Sequence, residues 1–200
     1  MTKQEWLHFI KENKKEFKEV LKGSVDVYTF ADRFDSIEAN SGASKCCLMS
    51  NDKKYVIKWN KYSYYTDAED ECEIYKKAIE KGISFLFPQT EVLCKIDDFT
   101  IVIQEQVDYA YGDMDWRKID NLKHQCRTVS SKLITKIDSH IYRSRVPNVW
   151  LRALVCIYGK KITKSFEEFT NEQKINDLHC GNVGFLNGKP IVLDFCGYHH

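Results

Sequence analysis

The sequence predicts an α+β fold in two parts, a sheet-rich N-terminal part and a helix-rich C-terminal part. Short apolar segments with strand-like alternation are separated by turn residues between about 33 and 105. After Val107 the composition turns helical, and a polar loop and an Asn187-Gly188 hairpin signal close the chain. The boundary between the two parts is predicted near residues 106 to 112.

The N-terminal segment 4–22 is predicted as one amphipathic helix. Trp6, Ile10, Phe17 and Leu21 repeat at helical spacing with lysines and glutamates between them, and Gly23 is a plausible stop. Such an apolar stripe is usually a face that packs on a core, so we expect this helix to cover the sheet.

The sheet-rich part is predicted as three strands, one helix and two further strands. The predicted strands are 34–39, 45–49, 54–59, 91–96 and 100–105, and the predicted helix is 67–81. Turns are expected at Ser41-Gly42-Ala43-Ser44, at Asn51-Asp52 and at Asp97-Asp98.

The C-terminal part is predicted as three helices, a polar loop and a hairpin. The helices are expected over 120–140, 148–160 and 162–172, with Gly159 breaking or ending the second. The loop covers 176–182, and the hairpin strands cover 183–186 and 190–195, joined at Asn187-Gly188.

Composition narrows the class of protein. The chain has 200 residues, of which 43% are hydrophobic and 30% are charged, and this balance is typical of a folded globular protein. The net charge of +1 gives no general attraction to nucleic acid or to acidic membranes, so neither partner is expected. No apolar run reaches a membrane-spanning length, and the start of the chain lacks the apolar core of a signal peptide.

The eight cysteines are scattered without a Cys-x-x-Cys spacing, so a zinc site or a redox motif is not indicated. With no export signal they are expected to be reduced thiols, and the expected location is the cytoplasm. The terminal His199-His200 pair is native or the remnant of a tag, and we give it no functional role.

The most informative residues are three polar side chains near the C-terminal end. Asp177 and Asn182 lie five residues apart in the polar loop, and Asp194 ends the apolar run Ile191-Val192-Leu193. Phosphoryl transfer uses such a set, because one carboxylate orients the attacking hydroxyl while an amide and a second carboxylate hold metal ions. A single Asp in a loop or at a strand end is common for turn chemistry. The evidence for phosphoryl transfer is therefore the spacing and order of all three residues together.

The loop Asp177-Leu178-His179-Cys180-Gly181-Asn182 and the strand before Asp194 resemble the catalytic loop and metal-binding strand of the protein-kinase-like superfamily. The Asp-Leu-His-x-Gly-Asn form is most similar to aminoglycoside-type phosphotransferases and to short kinase-like proteins of phages and bacteria. This resemblance implies a single bilobal domain that binds ATP and Mg²⁺. Residues 1–106 would form an N-terminal helix and a small antiparallel-sheet lobe, and 107–200 a truncated helical large lobe.

The resemblance also implies roles for individual residues. Asp177 would orient the acceptor hydroxyl, and Asn182 and Asp194 would bind the metal. Lys58, in Tyr55-Val56-Ile57-Lys58-Trp59, would contact the α- and β-phosphates and pair with a glutamate of the following helix. Taken alone, Lys58 is better explained as an exposed lysine of an edge strand, and the downstream motifs reverse that preference.

Three glutamates of the predicted helix 67–81 are candidates for that pairing. Glu71 shares its helical face with Tyr75 and Ala78, whereas Glu69 and Glu73 point away from it, so we choose Glu71 with Glu73 as the next candidate. The alternative is a solvated helix stabilised by pairs such as Glu73 with Lys77.

Two further segments complete the implied nucleotide site. Ser41-Gly42-Ala43-Ser44 occupies the place of the superfamily's glycine-rich loop, although it has a single glycine and is otherwise an ordinary hairpin turn. Glu105 and Val107 lie in the segment that corresponds to the hinge, whose backbone groups would bind the adenine.

Two departures from the pattern bear on function. His179 stands where Ser/Thr protein kinases have a lysine, and it would orient the loop, contact phosphate or buttress the loop. The chain ends three residues after Gly197, so the activation segment and later large-lobe helices that usually hold a peptide are expected to be absent.

The favoured function is an ATP- and Mg²⁺-dependent phosphotransferase of the small phage or bacterial kinase-like type, acting as a protein kinase, in the host cytoplasm if phage-encoded. The alternatives are a catalytically weak or inactive binding module that engages a host protein, and a small-molecule phosphotransferase. The sequence does not name the acceptor.

Overall fold

The structure is a computed structural model that describes residues 1–109, 121, 124, 126–141, 145–175 and 177–196. It confirms the α+β class. Its contacts divide the chain into two compact units, one formed by Met1–Glu73 with Gln89–Gln106 and the other by Ile74–Pro88 with Val107–His200. The assignment of these units to the lobes of one kinase-like domain remains a prediction. Among the described helices, none has the length and apolar character needed to span a membrane.

The first unit contains a five-stranded antiparallel sheet with the strand order β1-β2-β3-β5-β4. Its strands are β1 Ile37–Ser41, β2 Lys45–Ser50, β3 Tyr55–Asn60, β4 Thr90–Ile96 and β5 Phe99–Glu105. The five predicted strands are all present. The first begins three residues later than predicted and takes in Ser41, so the predicted four-residue turn is shorter by one residue.

The predicted helix 4–22 is wrong in one respect, because it is two helices. α1 spans Lys3–Glu12 and α2 spans Lys14–Leu21, and Asn13 between them has φ −103° and ψ 21°. Its side-chain Nδ2 and its backbone N–H both donate to the carbonyl of Phe9, at 2.9 and 3.1 Å, and so close the end of α1. The apolar spacing runs through this break, which explains why the sequence pattern did not show it.

A third short helix, α3 Val27–Ala31, was not predicted. The Asp26 carboxylate caps it by accepting hydrogen bonds from the backbone N–H groups of Tyr28 and Thr29. Its apolar side chains Val27, Phe30 and Ala31 are buried in the core of the first unit.

One face of the sheet forms this core together with the three N-terminal helices. The residues of this core have apolar side chains that are almost completely buried. They include Trp6, Phe17, Phe30, Leu48, Ile57, Trp59, Ile101 and Ile103.

The opposite face of the sheet carries polar side chains. Side chains alternate between the two faces of a strand, and the cross-strand pairs Cys47↔Lys58 and Lys58↔Val102 place these three residues on one face. α4, which spans Asp67–Glu80, packs on this face through Ala68 and Cys72, which cluster with Val102. The helix therefore brings its N-terminal half over the polar face.

The second unit contains two long helices and a small sheet. The elements are β6 Asp108–Tyr109, α5 Ser131–His140, α6 Asn148–Glu172, β7 Val183–Leu186 and β8 Lys189–Val192. The predicted helix 120–140 is found from Ser131 onward, and Ser130 caps it by accepting from Leu133 N–H. The prediction is wrong for residues 126–130, which form a turn ahead of the helix, and residues 120, 122, 123 and 125 lie outside the described residues.

Two local backbone predictions hold in the second unit. The segments 148–160 and 162–172 belong to α6, whose helical geometry is interrupted at Gly159 with φ 78° and ψ 171°. Asn187 and Gly188 have φ values of 51° and 75°, as a two-residue hairpin of this type requires. The prediction that the last strand runs to Phe195 is wrong, because β8 ends at Val192.

The core of the second unit joins α6 to the hairpin. Trp150 of α6 is completely buried, and its indole N–H donates to the carbonyl of Gly184 at 3.0 Å. Phe87 packs edge-on against Phe195 with ring centroids 5.1 Å apart. These contacts fix the hairpin that precedes Asp194.

Asn60, the last residue of β3, connects the sheet to the start of α4. Its Oδ1 accepts from the backbone N–H of Ala68 at 3.0 Å, and its Nδ2 donates to the Tyr65 carbonyl at 2.7 Å and to Glu69 Oε2 at 2.9 Å. Since Asn60 is buried, these bonds replace water for groups that would otherwise be unsatisfied.

We predict that Asn60→Ala lowers the free energy of unfolding by about 2 kcal/mol, because it leaves buried polar groups without their partner. Urea unfolding followed by circular dichroism measures the loss. Asn40→Ala removes an exposed asparagine from the same sheet and is the matched control. Equal effects of the two substitutions would show that Asn60 does not hold the start of α4.

Candidate functional site

Glu71 is the most constrained charged residue of the first unit. Its side chain is 0% exposed, although glutamate is almost never fully buried unless it is paired. It lies on the face of α4 that carries Ala68 and Cys72, one turn before Tyr75. Helix register therefore directs the carboxylate toward the polar face of the sheet.

Lys58 is one partner of this carboxylate. Its Nζ lies 3.5 Å from Glu71 Oε2, and its side chain is 13% exposed. The other two candidates are placed differently, since Glu73 is exposed and Glu69 accepts from Asn60. The predicted pairing of Lys58 with Glu71 is confirmed, while their part in catalysis remains a proposal.

Lys45 is a second partner, and the sequence pattern did not identify it. Its Nζ lies 2.6 Å from Glu71 Oε1, and the residue is only 8% exposed. Lys45 is the first residue of β2, two positions before Cys47, which lies opposite Lys58. Strand alternation from Cys47 was the one sequence signal that placed Lys45 on the same face as Lys58.

Gln104 of β5 was also missed as a side chain of the site. Its Nε2 donates to Thr90 Oγ1 at 2.9 Å and lies 3.4 Å from Glu71 Oε2. Gln104 faces the same side as Val56, its cross-strand partner, and is buried. The Glu71 carboxylate is thus contacted by two ammonium groups and one amide.

Cys47 adds a neutral group to this face. Burial raises the pKa of its thiol to about 11, and the nearby Lys58 ammonium opposes that rise. The thiol is therefore protonated at neutral pH and adds no negative charge beside Lys58.

The predicted phosphate-binding turn has an ordinary hairpin geometry. Ser41 closes β1, and Gly42 N–H donates to the Lys45 carbonyl at 2.9 Å. A Cβ at Gly42 would lie 3.8 Å from the nearest atom, that same carbonyl oxygen, so this position has room for a side chain. The Ser44 carbonyl accepts a hydrogen bond from Lys61 N–H at 2.8 Å. Ala43 is exposed at the tip of the turn.

The predicted hinge residues lie at the end of β5. The Glu105 N–H donates to the Gln89 carbonyl, and the Gln106 N–H donates to the Lys54 carbonyl, both at 3.0 Å. Val107 follows with a buried side chain. These two N–H groups are therefore committed within the protein.

In the second unit, Asp177 and Asn182 are directly bonded. Asn182 Nδ2 donates to the Asp177 carbonyl at 2.8 Å and to Asp177 Oδ2 at 3.0 Å. The orientation of the amide follows, because only its nitrogen can donate to two oxygens. Asn182 Oδ1 then points away from these bonds, and Asp177 Oδ1 accepts no hydrogen bond from the residues that the structure describes.

His179 is bonded inside the same loop. Its Nδ1 accepts from Gly181 N–H at 2.9 Å, so the neutral imidazole carries its proton on Nε2. Nε2 lies 3.6 Å from Asp177 Oδ2. The ring thus lies between the loop backbone and the Asp177 carboxylate.

Two neighbouring segments hold the loop in place. The Leu178 carbonyl accepts from Arg145 N–H at 2.8 Å, and the side chain of Leu178 is buried. The Asn182 carbonyl accepts from Leu193 N–H at 2.9 Å, directly before Asp194. The loop and the metal-binding strand of the prediction are therefore joined by a backbone hydrogen bond.

Asp194 follows the buried residues Ile191 and Val192 and is itself half-buried. The Cys196 thiol lies 3.4 Å from its Oδ1 and donates to it. Carboxylate and amide oxygens are the ligands that Mg²⁺ prefers, and the Asp194 carboxylate and Asn182 Oδ1 are of this chemical type. The residues present therefore fit a hard cation.

Comparison with known proteins gives distant structural likenesses. No family model matches the chain, and no curated protein matches it. Spectinomycin phosphotransferase APH(9)-Ia, in complex with ADP and spectinomycin, is 15% identical with a TM-score of 0.37, over 80% of this chain and 63% of that one.

Aminoglycoside phosphotransferase APH(4)-Ia was found in two forms of a thermostable mutant. The ternary complex with AMP-PNP and hygromycin B is 14% identical with a TM-score of 0.38, over 86% of this chain and 71% of that one. The apo form is also 14% identical with a TM-score of 0.37, over 80% and 66% of the two chains.

The chain spans less than two thirds of the spectinomycin phosphotransferase. At these identities and TM-scores, the likeness does not assign an activity to the chain.

Gly181 provides a test of the loop geometry. A Cβ at this position would lie 2.8 Å from Cε1 and 3.1 Å from Nδ1 of His179, so the imidazole would have to move. We predict that Gly181→Ala breaks the hydrogen bond to Nδ1 and lowers the free energy of unfolding by about 1 kcal/mol. Two-bond ¹H–¹⁵N NMR spectra of the His179 ring report the loss of that bond.

The double variant His179→Ala/Gly181→Ala is the control, because the clash disappears with the ring. Adding the alanine at 181 to His179→Ala should change stability by much less than adding it to the wild type. An equal cost in both backgrounds would contradict the ring contact.

Proposed function

We propose that this protein is a Mg²⁺- and ATP-dependent phosphotransferase of the small phage or bacterial kinase-like type, located in the cytoplasm, with a protein hydroxyl as its acceptor. The observation that carries the proposal is the buried pair of Lys58 and Glu71, which lie 3.5 Å apart. Burying two charged groups is costly, and such a pair is retained where it positions a ligand or another charged group.

Lys58 and Glu71 supply the first part of the proposed chemistry. The Lys58 ammonium is a compact positive charge suited to the α- and β-phosphates. The contact with Glu71 is long enough for the lysine to turn toward a phosphate while the carboxylate still limits where its side chain points. The turn Ser41-Gly42-Ala43-Ser44 would lie along the phosphates, and Glu105 and Val107 would border the base.

Asp177 and Asn182 supply the second part. Asn182 fixes Oδ2 of Asp177, so Oδ1 is the atom that would accept the hydrogen bond of the acceptor hydroxyl. As that oxygen attacks the γ-phosphorus, its proton would pass to Oδ1 of Asp177, and the bond from phosphorus to the ADP oxygen would break. Of the two contributions of Asp177, orienting the hydroxyl would matter more than accepting its proton. Phosphoryl transfer depends mainly on how the reactants are positioned and on stabilisation of the charge on the phosphates.

Asn182 Oδ1 and the Asp194 carboxylate would hold Mg²⁺. When bound, this ion would neutralise charge on the phosphates of ATP. The chain contributes by fixing both ligands on ordered backbone, through the bond of Leu193 N–H to the Asn182 carbonyl and the buried strand before Asp194.

We predict that Mg-ATP at about 100 times its dissociation constant raises the melting temperature by roughly 5–10 °C. Lys58→Met should remove most of the shift by removing the phosphate contact, and Asp194→Ala by removing a metal ligand. Differential scanning fluorimetry measures all three proteins, with Lys54→Met as an exposed-lysine control that keeps the shift. A wild type that does not respond to Mg-ATP would rule out the proposed nucleotide site.

Asp177→Asn should separate binding from turnover. Because Asp177 acts on the acceptor, the variant should keep most of its affinity for ATP and lose at least about 100-fold in transfer rate. Transfer of ³²P from ATP to protein, and in a parallel reaction to aminoglycosides, measures the rate and distinguishes the acceptor classes. Unaltered transfer by Asp177→Asn would overturn the assigned role, and full nucleotide binding without transfer by the wild type would favour the non-catalytic binding module.

A further inference from the structure

We infer that Lys45 is a positioning residue that anchors the buried Glu71 carboxylate and thereby weakens the hold of Glu71 on Lys58, the proposed phosphate ligand. The inference rests on the proposed function for its second half only. It concerns a residue that motif spacing does not reveal, because its role depends on which strands and helix meet around it.

The distances distinguish the two lysines. Lys45 Nζ lies 2.6 Å from Glu71 Oε1, the length of a strong charge-assisted hydrogen bond. Lys58 Nζ lies 3.5 Å from Oε2, at the limit of hydrogen bonding. Lys45 therefore makes the stronger contact with the carboxylate.

The second oxygen of Glu71 is also shared. Gln104 Nε2 lies 3.4 Å from Oε2, and the same amide donates to Thr90 Oγ1 at 2.9 Å. Lys58 thus competes at Oε2 with an amide that is held by a neighbouring strand. This competition weakens the hold of Glu71 on Lys58 further.

Backbone position favours the same division of roles. Lys45 begins β2, pairs with Asn60 across the ladder, and is one of the most buried charged residues of the first unit. Asn60 in turn bonds the start of α4. An ion pair between Lys45 and Glu71 therefore ties the same strand pair to the same helix, one turn further along.

Removal of Lys45 has two expected consequences. Glu71 loses its shortest contact among these side chains, so the first unit is destabilised. The carboxylate then draws Lys58 closer, because Lys58 no longer shares it with a second ammonium group and is no longer repelled by that group. The second effect lowers the affinity for the nucleotide without removing any group that touches it.

A double-mutant cycle of Lys45→Met and Glu71→Gln tests the inference. Lys45→Met alone should lower the melting temperature by roughly 10 °C and weaken Mg-ATP binding by about tenfold. In the Glu71→Gln background, Lys45→Met should lower the melting temperature and the Mg-ATP affinity much less, because the carboxylate through which Lys45 acts is absent. Lys45→Arg should keep most of the stability, and Lys54→Met should match the wild type.

The two readouts separate the possible failures. Undiminished loss of affinity on Lys45→Met in the Glu71→Gln background would overturn the positioning role and indicate direct contact with phosphate. Equal loss of stability in both backgrounds would overturn the anchoring of Glu71. The stability cycle needs no nucleotide, so it tests the anchor even if the wild type binds no ATP and the proposed function fails.

If Lys45→Met is too unstable to purify, the double variant Lys45→Met/Glu71→Met replaces the pair with apolar side chains. Such replacement of a buried ion pair is often neutral or stabilising, so this variant should fold. Failure of the double variant to fold, when Glu71→Met alone folds, would show that Lys45 stabilises the unit through something other than Glu71.

Discussion

The first unit depends on the burial of one negative charge. Glu71 is completely buried on α4, and the idealised cost of burying a single carboxylate is so large that its partners must be in place when the helix packs. Lys45 from β2, Lys58 from β3 and Gln104 from β5 provide them. The carboxylate therefore specifies how three strands and one helix are arranged, because a shift of any strand by one residue would turn its partner to the apolar face.

The second unit has a different requirement, because its carboxylate must be both accessible and held in one orientation. Asp177 lies in a loop, and loops position side chains less well than helices or strands do. Here the Asn182 amide holds one carboxylate oxygen, His179 lies beside it, and backbone bonds to Arg145 and Leu193 hold the loop. The other oxygen is left for a donor. A rigid support and one open acceptor atom are what a group that orients a hydroxyl requires.

Features set by local chemistry were predicted from the sequence. Asn187-Gly188 gave the hairpin and Gly159 the break in α6, because each depends on the backbone freedom of one or two residues. Glu71 was identified because helix periodicity alone placed it with Tyr75 and Ala78. Lys45 was missed because its burial depends on α4 lying over β2, a contact between distant parts of the chain. The break at Asn13 was missed because the apolar spacing of α1 continues into α2.

The most direct test of the central claim, that Lys58 serves the phosphates of a nucleotide, is labelling with an acyl phosphate of ATP. This reagent transfers its acyl group to an amine that lies beside the bound phosphates, and peptide mass spectrometry identifies the lysine. We expect the label on Lys58 in the presence of Mg²⁺, and we expect excess ATP to prevent it. Labelling spread over exposed lysines such as Lys54 and unaffected by ATP would contradict the claim, and ATP-sensitive labelling of Lys45 instead would reverse the roles of the two lysines.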